Sequence, residues 1–182
     1  MQPTDDDLMA QIAKGDERAY SLLVSRHLQR VRAVAYGFCA NHADTDDIAQ
    51  SVFWKVWTHA GSFEPGAAKF TTWLYRITTN ACIDHGRRKR LKSWIGLDVI
   101  AEWVADRSDP AREHAGRTEL AETRKALDAL PERQRLALML SVEGEMANGE
   151  IGAALGLTTG AVEQLLVRAR RSLRDWLSGQ GA

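Results

Sequence analysis

Thr159, Gly160, Glu163, Gln164, Arg168, Arg170 and Arg171 lie within the stretch NGEIGAALGLTTGAVEQLLVRARRSLR (148–174). Their side chains suit the chemistry of reading a duplex. Gln bonds adenine on two atoms and Glu accepts from cytosine N4. Arginines one turn further on neutralise phosphates, which positions a protein without specifying a sequence. The residues upstream are the type needed to hold such a helix. Ile151, Leu155 and Leu157 recur at spacings that bury them between two crossing helices, and Gly152 is small where those helices approach. Gly156 suits a left-handed turn, Thr158 predicts the cap of the second helix, and Val162 with Leu165 predicts its inner face. This is the pattern of a DNA-binding helix-turn-helix whose second helix enters the major groove. An ordinary helical hairpin would use the same glycines. The arginine flank favours DNA.

A second stretch, KFTTWLYRITTNACIDHGRRKR (69–90), interleaves aromatics with bases. Phe70, Trp73, Leu74 and Ile77 fall on one helical face, and Arg76, Asn80, Asp84, Arg87 and Arg88 largely on another. A basic helix bearing an amide, preceded by a small-residue loop around Gly61 to Gly66, suits single-stranded nucleic acid, where bases stack and cations track the backbone. Trp73 is expected in the core in the plainer reading, and the run 87–92 could equally be a solvated helix end.

The elements that must position these residues read as helices. Thr4 with Asp5 to Asp7 predicts a capped first helix, and Asp16 starts a second in which Tyr20, Leu23, His27, Val31 and Val34 recur at three or four. Asp44 to Asp47 predicts the cap of a third, carrying Ile48, Val52 and Val56. Pro65 breaks the chain, and a long helix is expected from about Thr71 to Arg90. Leu120, Arg124 and Leu127, then Pro131, Gln134 and Leu138, predict two more, with Pro131 in a first turn. Asn148-Gly149 suits a cap. No stretch shows sustained strand alternation. The fold class is all-α, as two small helical domains joined by a linker.

Twelve of the 13 Phe, Trp and Tyr residues lie before position 104, and only Trp176 lies after. The two parts are therefore expected to be built around different cores. The polar run SDPAREHAGRTE (108–119) reads as a linker. Domain one is placed at 4–92, the linker at 93–118 and domain two at 119–178. The 24 Lys and Arg balance 24 Asp and Glu, yet the sum hides two basic patches. Residues 69–92 carry seven cations against Asp84, and 164–182 four arginines against Asp175. Two such patches suit two contacts with a polyanion.

Composition excludes other classes. The longest unbroken apolar run, Leu136 to Leu140, is far shorter than the ~20 residues of a membrane span, and Met1 to Asp7 has no basic residue of a signal peptide. A cytoplasmic protein without membrane insertion is expected. Cys39 and Cys82 read as small core residues. The five histidines show no metal-ligating spacing, and neither a Walker loop nor a nucleophile elbow occurs. No catalytic residue, metal, cofactor or small-molecule substrate is expected; the protein does not read as an enzyme. Trp94 to Val104 is too apolar for a free linker and is expected to pack against the domains or a partner.

DTDDIAQSVFWKVW (44–57), FEPGAAKFTTWLYRITTNACIDHGRRKR (63–90), LPERQRLALML (130–140) and the helix-turn-helix follow one another in an order that resembles extracytoplasmic-function sigma factors of the bacterial sigma-70 family. The resemblance covers nearly the whole chain. It implies a dissociable subunit that binds core RNA polymerase through its β′ and β subunits, recognises promoter DNA, and answers to an anti-sigma factor. Carried onto this sequence, it implies that Asp44, Asp47, Gln50 and Trp54 dock on the β′ clamp. It implies that Phe63, Lys69, Trp73, Arg76, Asn80, Arg87, Arg88 and Arg90 bind the −10 element in region 2. Thr159, Gly160, Glu163, Gln164, Arg168, Arg170 and Arg171 would bind the −35 element in region 4. The linker acids from Asp98 to Glu113 would mimic nucleic acid near the RNA exit path. The chain departs from many relatives at Glu163-Gln164-Leu165, where two cations are missing, at Thr79, where a base is common, and at Ser51, where an acid is common. A free-standing helix-turn-helix repressor is the second reading; it leaves the Trp-rich part without a task.

Overall fold

Where the sequence supplies an acceptor for free amides, a helix begins. The computed structural model describes residues 3–94 and 122–179, and of 92–94 the backbone alone. The Thr4 hydroxyl accepts from the Asp7 N–H at 3.1 Å and the Asp7 carboxylate accepts back from the Thr4 N–H at 2.9 Å, opening α1 (Asp5–Ile12). Asp16 accepts from the N–H groups of Arg18 and Ala19 and opens α2 (Glu17–Cys39). The third helix, α3 (His42–Thr58), starts earlier than its aspartates suggest. Ala40 turns left-handed (φ 56°) and ends α2, so the next extended residue, Asn41, makes the cap by accepting from the Asp44 N–H. The aspartates then occupy the first turns, where the helix dipole favours them.

After a short 3₁₀ turn (Ala60–Ser62), α4 runs from Phe70 to Trp94. It outlasts the expected end near Arg90 because no glycine or proline follows Arg90 before Gly96. Helices α1 to α4 enclose Leu8, Leu23, Val31, Val52, Val56 and Leu74, all buried. Cys82 is buried with them, and desolvation pushes its thiol pKa up, which suppresses the thiolate. Cys39 is half-buried, and both cysteines are free thiols. The linker, and the apolar stretch beyond Trp94, lie outside the described residues.

The second half holds a helical segment at 122–128, then α5 (Glu132–Val142), α6 (Asn148–Leu155) and α7 (Thr159–Leu177). Pro131 sits one position before the first helical residue rather than inside the first turn. Asn148 is likewise helical itself; the amide of Ala147 before it is satisfied by the Glu150 carboxylate at 3.0 Å. Gly156 turns left-handed (φ 67°) between α6 and α7, as its position predicts. Every named element among the described residues is helical, with one isolated bridge between Pro65 and Ala68.

Two buried clusters form, one largely in each half, and they interlock at the seam. Val34 and Tyr75 of the first half are buried in the second half's cluster, while Leu136 is buried in the first half's, with Leu155 packed against it. Met139 of α5 lies directly on Gly37 of α2, where any Cβ would stand only 2.0 Å from its sulfur. The aromatic residues do segregate. A half this small is marginal alone, and burying its aliphatic faces against α2 and α4 adds ~1.5–3 kcal/mol per large side chain removed from water.

Gly152 tests the close approach of α6 to the chain entering α7. A Cβ there would stand 2.7 Å from the Leu157 carbonyl oxygen. Overpacking costs ~1–3 kcal/mol, against roughly 1 kcal/mol that alanine gains over glycine within a helix. Gly152→Ala is expected to lower the urea midpoint with an unchanged m-value. A raised midpoint would mean that the two segments part freely.

Candidate nucleic-acid interface

The outer face of α7 is built by what its inner face buries. Thr158 caps the helix by accepting from the Ala161 N–H at 3.3 Å, and Val162, Leu166 and Ala169 lie buried along one stripe. Leu166, not Leu165, takes the fully buried place; Leu165 is half-buried on the flank. Thr159, Gly160, Glu163, Gln164, Arg168, Arg170 and Arg171 are all exposed. At 100° per residue Gly160, Gln164 and Arg171 point away from the core, with Glu163 and Arg170 on one flank and Arg168 on the other. Val167 lies between Gln164 and Arg171 on that outward face, 64% exposed. Its apolar type hides it from a reading that sorts residues by polarity, although the helical period from Gln164 marks it. A polar face with one apolar side chain can bond base edges and touch a thymine methyl.

Phe63, just after the 3₁₀ turn, joins Phe70 and Trp73 of α4 in one aromatic cluster. Phe63 stands 5.4 Å from Trp73 and 5.9 Å from Phe70, edge-on in both cases. Phe70 is buried and the other two are half-buried, so Trp73 is partly core and partly accessible. Between Phe63 and Phe70 the loop from Glu64 to Lys69 is exposed throughout, with Gly66 at φ 85°. Arg76 and Asn80 are exposed one turn apart, and Arg87, Arg88 and Arg90 are exposed toward the other end of the same helix. The structure thus places all eight residues on one helix and the loop before it, in two groups rather than one.

On α3, Asp47, Gln50 and Trp54 form an exposed stripe, and Trp54 is 65% exposed. A tryptophan left in water beside hydrogen-bonding side chains is the composition of a protein-docking surface. Asp44 stands apart from that stripe. Its carboxylate lies 3.3 Å from His85 Nε2 and 3.5 Å from Lys89 Nζ, which ties the first turn of α3 to α4.

The second half covers part of α4. Lys69 donates to Glu150 at 2.8 Å, Arg90 pairs with Glu132, and Thr79, buried, donates to the Ala154 carbonyl at 3.5 Å. A basic side chain at Thr79 would meet α6 instead of water. The hydrogen bond from Lys69, and then that from the Ala147 N–H, hold the Glu150 carboxyl below the usual range. Arg30 donates to Glu145 at 2.6 Å. Arg124 donates to the carbonyls of Tyr36, Gly37 and Phe38 that end α2; Arg135 also donates to Phe38, and Asp128 bridges the two guanidiniums. Sequence reasoning offers no signal for the partners that join the two halves, which lie 42 to 115 residues apart.

Residues 23–92 match the family model described as Sigma-70 region 2, and residues 120–173 match that described as Sigma-70, region 4. The RNA polymerase sigma factor CnrH of Cupriavidus metallidurans is 32% identical, with 95% of each chain covered. The ECF RNA polymerase sigma factor SigW of Bacillus subtilis is 31% identical over 92% of this chain and 93% of that protein. Among solved structures, CnrH in complex with the cytosolic domain of CnrY matches with a TM-score of 0.73 at 30% identity, covering 96% of this chain and 97% of that one. The sigma factor RpoE of Bartonella quintana, solved with the anti-sigma factor NepR, shares the fold at a TM-score of 0.67 and 23% identity, covering 87% of this chain and 96% of that one.

Replacing Arg124 and Arg135 together by methionine tests the contact between the halves. Each charged hydrogen bond lost is worth ~1.5–3 kcal/mol. Far-UV circular dichroism is expected to stay unchanged while the radius of gyration from X-ray scattering rises. An unchanged radius would show that apolar contacts such as Met139 on Gly37 suffice to hold the halves together.

Proposed function

The chain belongs to the bacterial sigma-70 family, as a sigma factor of the extracytoplasmic-function type, and from that premise we propose which of its faces does which part of the work. A protein of this type binds core RNA polymerase, recognises the −35 and −10 promoter elements and promotes initiation. It is not itself an enzyme; it contributes binding energy and the polymerase does the chemistry. Residues 119–178 are the −35 reader, with Gln164 and Glu163 on base edges, Val167 between them and Arg171, and Arg168 and Arg170 on phosphates. Residues 4–92 engage the −10 element. The cluster of Phe63 and Trp73 offers stacking to an unstacked base, Asn80 and Arg76 meet the strand, and Arg87, Arg88 and Arg90 follow the upstream duplex. The α3 stripe of Asp47, Gln50 and Trp54 docks on polymerase, and Asp44 holds that helix in place against α4.

The observation that carries this reading is the pairing, on one chain, of an exposed recognition helix with an aromatic and basic helix of different geometry. One suits a duplex, the other a single strand. An anti-sigma factor is the regulatory partner we propose. The solved relatives CnrH and RpoE were captured with CnrY and NepR, and a partner gripping both halves would hold closed the packing that already pairs Lys69 and covers Thr79. A cytoplasmic location follows from work on polymerase; among the described residues no helix is long and apolar enough to cross a membrane.

Transcription by purified core polymerase on fragments of the source genome tests the reading. New promoter-specific transcripts are expected with the protein and not without it. Duplex binding without core binding or transcripts would instead describe a repressor. Trp54→Ala is expected to weaken core binding by about thirtyfold, the cost of one interface hot spot of ~2 kcal/mol, with the fold intact because the ring is exposed. Removing the methyl of a contacted thymine, by placing uracil in the −35 element, is expected to weaken wild-type binding about fourfold, from ~0.8 kcal/mol per buried carbon. Val167→Ala should be insensitive to the same change. Equal sensitivity in both proteins would move Val167 off the bases.

A further inference from the structure

Where α6 crosses α4 the two halves leave a cavity of about 240 Å³ between them. One wall is α4, contributing Arg76, Asn80 and Ile83; the other is the end of α6, with Leu155 and Gly156, and Arg133 from the start of α5. Two exposed arginines from opposite halves thus line one small space, and neither is paired with a carboxylate among the described residues. The acids that flank this seam are already taken, Glu150 by Lys69 and Glu132 by Arg90. Arg133 also lies in the first turn of its helix, where the dipole disfavours a cation. Nothing in the duplex or single-strand roles above explains why Arg133 lines this cavity with Arg76.

The geometry points to a binding site for a small phosphoryl-bearing anion, held between Arg76 and Arg133 with the Asn80 amide as a third polar contact. A phosphoryl group offers several acceptor oxygens to two guanidinium forks. The volume, about eight waters' worth at ~30 Å³ each, admits inorganic phosphate or one nucleotide phosphate with part of its sugar. Ile83 and Leu155 give the remaining wall an apolar surface. Because the site exists only where both halves meet, occupancy favours the closed packing by mass action. On the reading of α4 given above, it also keeps Arg76 and Asn80 from promoter DNA.

The test is the melting midpoint of the full chain as inorganic phosphate replaces chloride at constant ionic strength. A saturable rise is expected in the wild type. Arg133→Gln should need about tenfold more phosphate or more, the worth of one charge-assisted hydrogen bond, and Arg76→Gln likewise. Arg18→Gln, which removes an exposed cation of α2, should respond as the wild type does. Amide NMR titration supports the same assignment if shifts centre on Asn80 and Gly156. A rise that is the same in Arg133→Gln and Arg18→Gln, or no rise at all, overturns the site. A single-stranded oligonucleotide separates the two sources of the group. If its binding also needs Arg133, the phosphate is that of a strand; if it binds Arg133→Gln normally, the ligand is a free anion. The assay contains no polymerase and no promoter, so its failure leaves the sigma-factor reading standing.

Discussion

Carbonyl groups in the last turn of α2 accept from the other half of the chain, that of Tyr36 in addition to its bond from the Ala40 N–H, and this docking sets how the two halves meet. Helix ends leave such acceptors free, and the negative end of the dipole attracts cations. Here the cations come from the other half of the chain. Arg124 and Arg135 reach Tyr36, Gly37 and Phe38, and Asp128 holds both guanidiniums in register. Arg135 also lies over the Phe38 ring at 5.2 Å. With α5 fixed there, Met139 settles on Gly37, and α6 is laid along α4.

That one docking has unequal consequences for the working faces. Along α4, Lys69 and Thr79 are engaged by α6, and Arg76 and Asn80 look into the cavity beside it. The outward stripe of α7 and the Trp54 stripe of α3 stay exposed. A molecule closed in this way leaves to solvent the α3 and α7 faces proposed for polymerase and duplex, while α4, proposed for the single strand, is partly covered. Much of the seam is polar, made of ion pairs such as Arg30 with Glu145 and Lys69 with Glu150 at the surface. Exposed pairs of this kind contribute little each, so the seam suits a contact meant to open when a larger interface competes for the same residues.

The fold was legible wherever the signal was local. Thr4, Asp16, Thr158 and Gly156 sit where capping and turn chemistry put them, because those requirements involve residues two to four apart. The errors are also local and small. Asn41 rather than Asp44 caps α3, since the cap depends on where the previous helix ends, and Leu166 rather than Leu165 completes the α7 core. At the candidate sites, residue type and period placed the α7 face and the α4 bases. Val167 escapes a reading that sorts residues by polarity, because its side chain is apolar yet exposed. Asp44 joined its neighbours in sequence but turns toward His85 and Lys89 in space.

By itself, then, the sequence determined the helices, their caps, the helix-turn-helix and the chemical character of each exposed face, since all of these follow from periodicity and neighbouring side chains. Only the tertiary structure decided that the two cores interlock, that Arg124 and Arg135 reach the end of α2, and that Arg133 and Arg76 line one cavity. Those contacts join residues tens of positions apart. Their partners are chosen by packing, and a guanidinium carries no mark in the sequence to say which distant carbonyl it will reach.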